Sequence, residues 1–85
     1  GGGGFLPILQ QIAEALAQVP GIKPSALSYE SNRGEFRLDL VAPDFDTLER
    51  LRQTLSGLGL AVESGPASAG SEGGYQGRLV IRKAP

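Results

Sequence analysis

Asp44 and Asp46 are the residues whose type and spacing come nearest to chemistry, since two carboxylates two positions apart can share a proton or hold a divalent cation. Their setting points to a plainer role. Asp44 follows Pro43 and precedes the apolar run that opens at Phe45, which is the position of a helix N-cap. Asp46 falls in the first turn, where negative charge suits the helix dipole, and lies four residues before Arg50. Gly70-Ser71-Glu72-Gly73-Gly74 has the flexibility to cradle a phosphate, but it leads into a strand-like run rather than a helix and carries an acidic residue. A serine with Lys23 or Lys83 is the remaining nucleophile and base, and nothing in the sequence brings such a pair together. With no Cys and no His, the chain lacks the means for Cys/His zinc sites, thiol catalysis, disulfides and histidine-based triads. No catalytic residue, cofactor site or metal site is expected, and the chain reads as a non-enzyme.

The elements that would position any site come from the hydrophobic pattern. At 85 residues the chain suits one small domain, from Phe5 to Arg82, with Gly1 to Gly4 as an expression remnant or linker stub and 83–85 as a tail. No apolar run approaches the roughly 18 to 20 residues needed to span a bilayer. Eight basic residues against nine acidic ones lack the footprint of a duplex-binding surface. The absence of Cys fits either redox compartment.

Phe5, Leu9, Ile12, Leu16 and Val19 recur at spacings of three and four, so an amphipathic helix is expected from Phe5 to Val19, closed by Pro20-Gly21. Leu27 and Tyr29 alternate with polar residues, Ser31-Asn32-Arg33-Gly34 has turn chemistry, and Phe36, Leu38 and Leu40 alternate again, which describes a hairpin with one wet face. A second helix carries Phe45, Leu48, Leu51, Leu55 and Leu58. A short strand follows at Leu60 to Ser64 and a longer one at Tyr75 to Arg82. Gly65 to Gly74 between them is expected to be a mobile hairpin loop, because it has no apolar anchor.

The string αββαββ with half-polar strands predicts an α+β two-layer sandwich, with two helices on one face of a four-stranded antiparallel sheet. A ferredoxin-like fold is βαββαβ, and moving its first strand to the end gives this order. The expected sheet is therefore a circularly permuted ferredoxin-like one in the order 3-4-2-1. Such a frame also serves RNA-recognition modules, which stack bases on exposed aromatics. Here Tyr29, Phe36 and Tyr75 fall on the inward alternation, while Arg37, Asp39, Glu63, Arg78, Val80 and Arg82 face outward, so no nucleic acid partner is expected. Adding Leu6, Ile8, Ala13, Ala15 and Ala17 to the stripe of the first helix widens its apolar arc to about 200° at 100° per residue. That is more than one sheet face needs.

The segments Phe5-Leu6-Pro7-Ile8-Leu9-Gln10-Gln11-Ile12-Ala13, Val19-Pro20-Gly21-Ile22, Leu27-Ser28-Tyr29-Glu30, Arg33-Gly34-Glu35-Phe36-Arg37-Leu38, Ala42-Pro43-Asp44-Phe45 and Leu48-Glu49-Arg50-Leu51-Arg52, in this order, resemble the C-terminal periplasmic domain of type II secretion system protein L. The resemblance implies a non-catalytic assembly module of the secretion platform, in the periplasm, belonging to a bacterial inner-membrane protein anchored by a segment outside this chain. It implies association with itself and with protein M of the same system, with pseudopilus components as further candidates. The related periplasmic domain of protein M is the nearest alternative, and a small-molecule or nucleic-acid-binding module is the other.

Topology then suggests where such partners bind. In the order 3-4-2-1 strand 1 is an edge, and the wide arc of the first helix lies on that side. The expected interface is Ala26, Leu27, Ser28, Tyr29 and Glu30 on the strand, with Leu6, Ala13 and Ala17 on the helix flank. It is favoured over the strand 3 edge, which is expected to be short and to end at Gly65-Pro66.

Overall fold

The computed structural model describes residues 5–70 and 74–85. Its elements are α1 (Phe5–Gln18), β1 (Lys23–Glu30), β2 (Glu35–Ala42), α2 (Phe45–Gly57), β3 (Leu60–Ala69) and β4 (Tyr75–Lys83). The four strands form one antiparallel sheet in the order β1-β2-β4-β3, which is the expected permuted ferredoxin-like arrangement, with both helices on one face. The last strand in sequence is thus central, and β1 and β3 are the edges. The reading of Gly1 to Gly4 lies outside the described residues.

Local chemistry accounts for the element ends. The Asp44 carboxylate accepts hydrogen bonds from the Thr47 backbone N–H and the Thr47 hydroxyl, both at 2.7 Å, so it caps α2 as its position in the sequence requires. Gly34 turns the β1–β2 hairpin at φ 61, a left-handed conformation that costs glycine little. The expected Asp46–Arg50 pair does not form. Arg52 turns back to Glu49 at 3.0 Å instead, and the Arg50 charge acts on Asp44.

The core lies between the sheet and the helices. Phe36, Leu38, Leu40, Leu79 and Ile81 supply the sheet side, and Leu48, Leu51 and Leu55 the face of α2. Gly77 is bare where α2 crosses it: a Cβ there would stand 3.3 Å from Leu48 Cδ2, so the helix packs directly on strand backbone. On α1 the buried residues are Ile8, Ile12 and Ala15, with buried Val19 just past its end, whereas Leu9 and Leu16 are only half-buried and Phe5 is exposed. The stripe centred on Leu9 and Leu16 is therefore displaced to one side. On its other flank α1 meets the second helix, where Gln11 Nε2 donates to the Leu58 carbonyl at 3.1 Å.

The Gly65 to Gly74 loop is corrected over its first half. β3 continues to Ala69, with Ala67, Ser68 and Ala69 opposite Gly77, Gln76 and Tyr75. A register shift between Ser64 and Ala67 places one extra residue in the strand at Gly65-Pro66. A bulge takes up a proline that cannot donate to a ladder, and on an edge strand the missing N–H is tolerated. The remainder of the expected loop includes 71–73, outside the described residues. The strand 3 edge is consequently long rather than short, although its upper half is interrupted.

A candidate interaction edge

β1 is exposed along almost its whole length, in contrast to the alternating burial of β2. Its register sets Leu27 opposite Leu38 and Tyr29 opposite Phe36, so both side chains point to the helix side of the sheet. Their partners on β2 are sealed, but Leu27 remains 44% and Tyr29 36% exposed because α1 covers only the inner part of that side. The start of α1 leans against the same place: Phe5 stands edge-on to Tyr29 at 4.9 Å and 5.3 Å from Phe36. Phe5 is itself 44% and Leu6 64% exposed. Four of the five large apolar side chains exposed in the described residues thus gather at one edge; the fifth, Phe45, lies against Tyr75 at 6.0 Å, at the opposite end of the strands. Surface apolar groups usually scatter, so a cluster beside unpaired strand backbone has the makings of a contact.

Of the residues expected at an interface, Ala26, Leu27, Ser28 and Tyr29 are exposed on β1 and Glu30 is half-buried, its carboxylate accepting from the Asn32 N–H at 2.9 Å. Leu6, Ala13 and Ala17 lie on the exposed flank of α1. Sequence reasoning placed Phe5 in the core stripe and did not assign it to this edge. Its position before Leu6 at the first helical turn was the available signal, because an end turn is covered on fewer sides.

The opposite face of the sheet carries charge. Arg82 bonds Glu35 at 3.3 Å and Glu63 at 2.8 Å, Arg37 lies 3.9 Å from the buried Glu35 carboxylate, and Arg78 pairs with Asp39 at 2.7 Å. A cleft of about 540 Å³ on this face is lined by residues that include Ser25, Val41, Pro66 and Gln76, with the Asp39–Arg78 pair in its wall. Its carboxylate and guanidinium satisfy each other, so nothing there converges on a reacting atom. Among the described residues no three acidic side chains are grouped so as to hold a metal ion.

Three carboxylates in the structure carry a pH signature: Asp39, Asp44 and Glu49, the last held low by its hydrogen bond from Arg52. The hydrogen bond from Arg78, helped by its charge, holds Asp39 below its usual range, and hydrogen bonds from the Thr47 hydroxyl and N–H do the same for Asp44. A lowered folded-state value means that the stabilisation is fully present above the unfolded value near ~4 and is lost as pH falls through the folded one. The melting temperature should therefore fall on acidification below about pH 4, and an Asp39→Asn/Asp44→Asn double variant should show a shallower decline. Circular dichroism melts between neutral and acid pH measure this, and identical acid slopes would show that these bonds do not persist in solution.

Fold and surface together define a class: a small permuted ferredoxin-like domain whose distinctive surface feature is an open sheet edge. A family model described as the GspL periplasmic domain matches residues 4–83, and the chain belongs to that family. It is 43% identical over 68 residues to type II secretion system protein L of Pseudomonas aeruginosa, an alignment covering 80% of this chain and 18% of that protein. The chain therefore spans about a fifth of the length of that relative. The crystal structure of the periplasmic domain of XcpY superposes with a TM-score of 0.83 at 41% identity, over 89% of this chain and 96% of that one. The periplasmic domain of EpsL from Vibrio parahaemolyticus shares the fold with a TM-score of 0.76 at 24% identity, over 95% and 99% of the two chains. Membership in the protein L family decides against the alternative that this is the corresponding domain of protein M.

Proposed function

We propose that this domain is a non-catalytic assembly module of the type II secretion inner-membrane platform, which associates with itself and with protein M in the periplasm. The observation that carries the reading is the collection of Phe5, Leu6, Leu27 and Tyr29 beside the unpaired edge of β1. A partner strand added to that edge would satisfy backbone groups and cover apolar side chains in one step. The interface comprises Ala26, Leu27, Ser28, Tyr29 and Glu30, with Leu6, Ala13 and Ala17 of the α1 flank. Membership in the protein L family supports the setting, and an anchor elsewhere in the full-length protein would hold the domain at the inner membrane, within reach of pseudopilus components.

Two measurements test the reading. Sedimentation of the purified chain should show concentration-dependent self-association. Immobilised chain incubated with a detergent-solubilised Gram-negative envelope should retain protein M. Turnover of a small molecule, or retention of RNA in place of secretion subunits, would overturn the assignment.

A further inference from the structure

We infer that the cleft on the helix-free face of the sheet is a binding site for a short, uncharged saccharide. The site is separate from the apolar cluster at the β1 edge, so it stands or falls independently of the assembly reading. Its shape comes from two irregularities at one level of the sheet. The register shift on β1 between Pro24 and Ala26 falls opposite Leu40 and Asp39, and the shift on β3 between Ser64 and Ala67 falls opposite Leu79 and Gly77. Leu40 pairs with Gly77 and Asp39 with Arg78, so both edge strands leave regular pairing beside the same two rungs. A bulge bends its strand and sharpens the local twist, and Ser25 and Pro66, one from each bulge, both line the cleft. Leu40 turns into the core and Gly77 has no side chain, so the floor between the rungs is backbone. The resulting volume of about 540 Å³ lies within the roughly 300–1,000 Å³ of small-molecule sites.

The chemistry of the lining selects the ligand. Arg78 meets Asp39 side-on, Nε donating to Oδ1 at 2.7 Å and Nη2 to Oδ2 at 3.3 Å. Gly65 makes room for the arginine stem: a Cβ there would stand 3.3 Å from Arg78 Cβ and 3.4 Å from the Arg78 carbonyl oxygen. A guanidinium has five N–H donors and a carboxylate about four acceptor sites, so the pair fixes its own orientation and keeps capacity of both kinds. Ser25 and Ser68 add hydroxyls and Gln76 an amide, all three exposed and each able to donate and to accept. One carboxylate and one guanidinium cancel, so the cleft favours neither an anion nor a cation. None of the described residues lining it is aromatic, so a nucleobase has nothing to stack on. An extended peptide would find its amide partners at the open strand edges instead. Hydroxyl groups match, because a vicinal diol can donate to Asp39 while its oxygens accept from Arg78. Val41 and Pro66 supply apolar surface for the C–H face of a pyranose ring. From Ser25 to Ser68 the cleft crosses four strands, about 14 Å at ~4.8 Å per strand, which takes a short chain of rings rather than one.

Titration of the isotope-labelled chain with maltotriose, cellotriose and triacetylchitotriose, followed by heteronuclear NMR, tests the site. At least one of these should shift the amides of Asp39, Val41, Ser68 and Gln76 together with the Arg78 Nε–H signal, saturating in the millimolar range expected of an open cleft. Gln76→Ala should weaken that binding about 2- to 10-fold, the worth of one neutral hydrogen bond. Arg78→Lys, which keeps the charge but loses the planar fork, should weaken it further. Both side chains are exposed, so the variants should fold and sediment like the parent. Absence of shifts with all three saccharides, shifts scattered over the surface, or undiminished binding by Arg78→Lys would overturn the site and leave the assembly reading untouched. Trilysine or triglutamate shifting the same amides in preference to every saccharide would overturn it as well, since a charged ligand would then be the one the cleft selects.

Discussion

A Phe36→Ala variant is expected to lose about 3–5 kcal/mol of folding stability. A domain of this length has roughly 0.05–0.15 kcal/mol per residue in all, about 4–13 kcal/mol, so the variant should lose a large share of its stability. Phe36 is fully buried in β2 and is the one buried ring of the mutually packed trio at this edge, 5.3 Å from Phe5 and 4.8 Å from Tyr29. Truncation would leave a cavity bounded by sheet backbone on one side and the first turn of α1 on the other, where relaxation is limited by the strand register with Ile81. Urea unfolding followed by circular dichroism measures the loss, with Phe36→Leu as the volume-sparing comparison. A loss below about 1 kcal/mol, the scale of a well-tolerated hydrophobic swap, would mean that α1 collapses into the space and that Phe36 does not organise this end of the core.

Leu27→Asp should have the largest effect on association while sparing the fold. The side chain is 44% exposed, on an edge strand, so removing it takes little from the core. In a two-fold pair, however, one substitution acts twice, removing two apolar contacts and setting two carboxylates in the contact. Losing even half of the roughly 1.5–3 kcal/mol that full burial of a leucine contributes, at both sites, amounts to about 1.5–3 kcal/mol. The dissociation constant should rise by about 10- to 100-fold, at ~1.4 kcal/mol per factor of ten. Ala13→Glu on the α1 flank should weaken association less, because a small side chain contributes little apolar area there. Sedimentation equilibrium across a concentration series compares the variants. If Leu27→Asp associates like the parent while a charge at Ala61 on β3 abolishes association, the contact uses the other edge.

Much of this protein is legible in its sequence, because the signals concerned act over a few residues. The cap at Asp44, the break at Pro20-Gly21, the hairpin residues before Glu35 and the alternation of Phe36, Leu38 and Leu40 depend on near neighbours, and the structure reproduces each. The sheet order also follows from the element string, since short antiparallel connections leave few unknotted ways to arrange four strands. Family membership was legible for a related reason: those capping, turning and core residues occur in a characteristic succession.

Other features depended on sums over distant residues. Gly65-Pro66 has the local chemistry of a turn, yet pairing with β4 carries the strand through it in a bulge. The apolar arc of α1 showed an excess without showing which side would be buried; the position of α2 and the reach of the sheet turned Ile8 and Ala15 inward and left Phe5 and Leu6 outward. Nor does the alternation of Leu27 and Tyr29 distinguish a covered strand from an uncovered one, because inward pointing is a property of the strand and coverage a property of whatever packs above it. The sequence by itself determined the elements, their capped ends, their inward faces and the family. Tertiary packing decided the length of β3, the rotation of α1 and the exposure of the β1 edge, because burial is set by which surfaces meet and no local pattern encodes that.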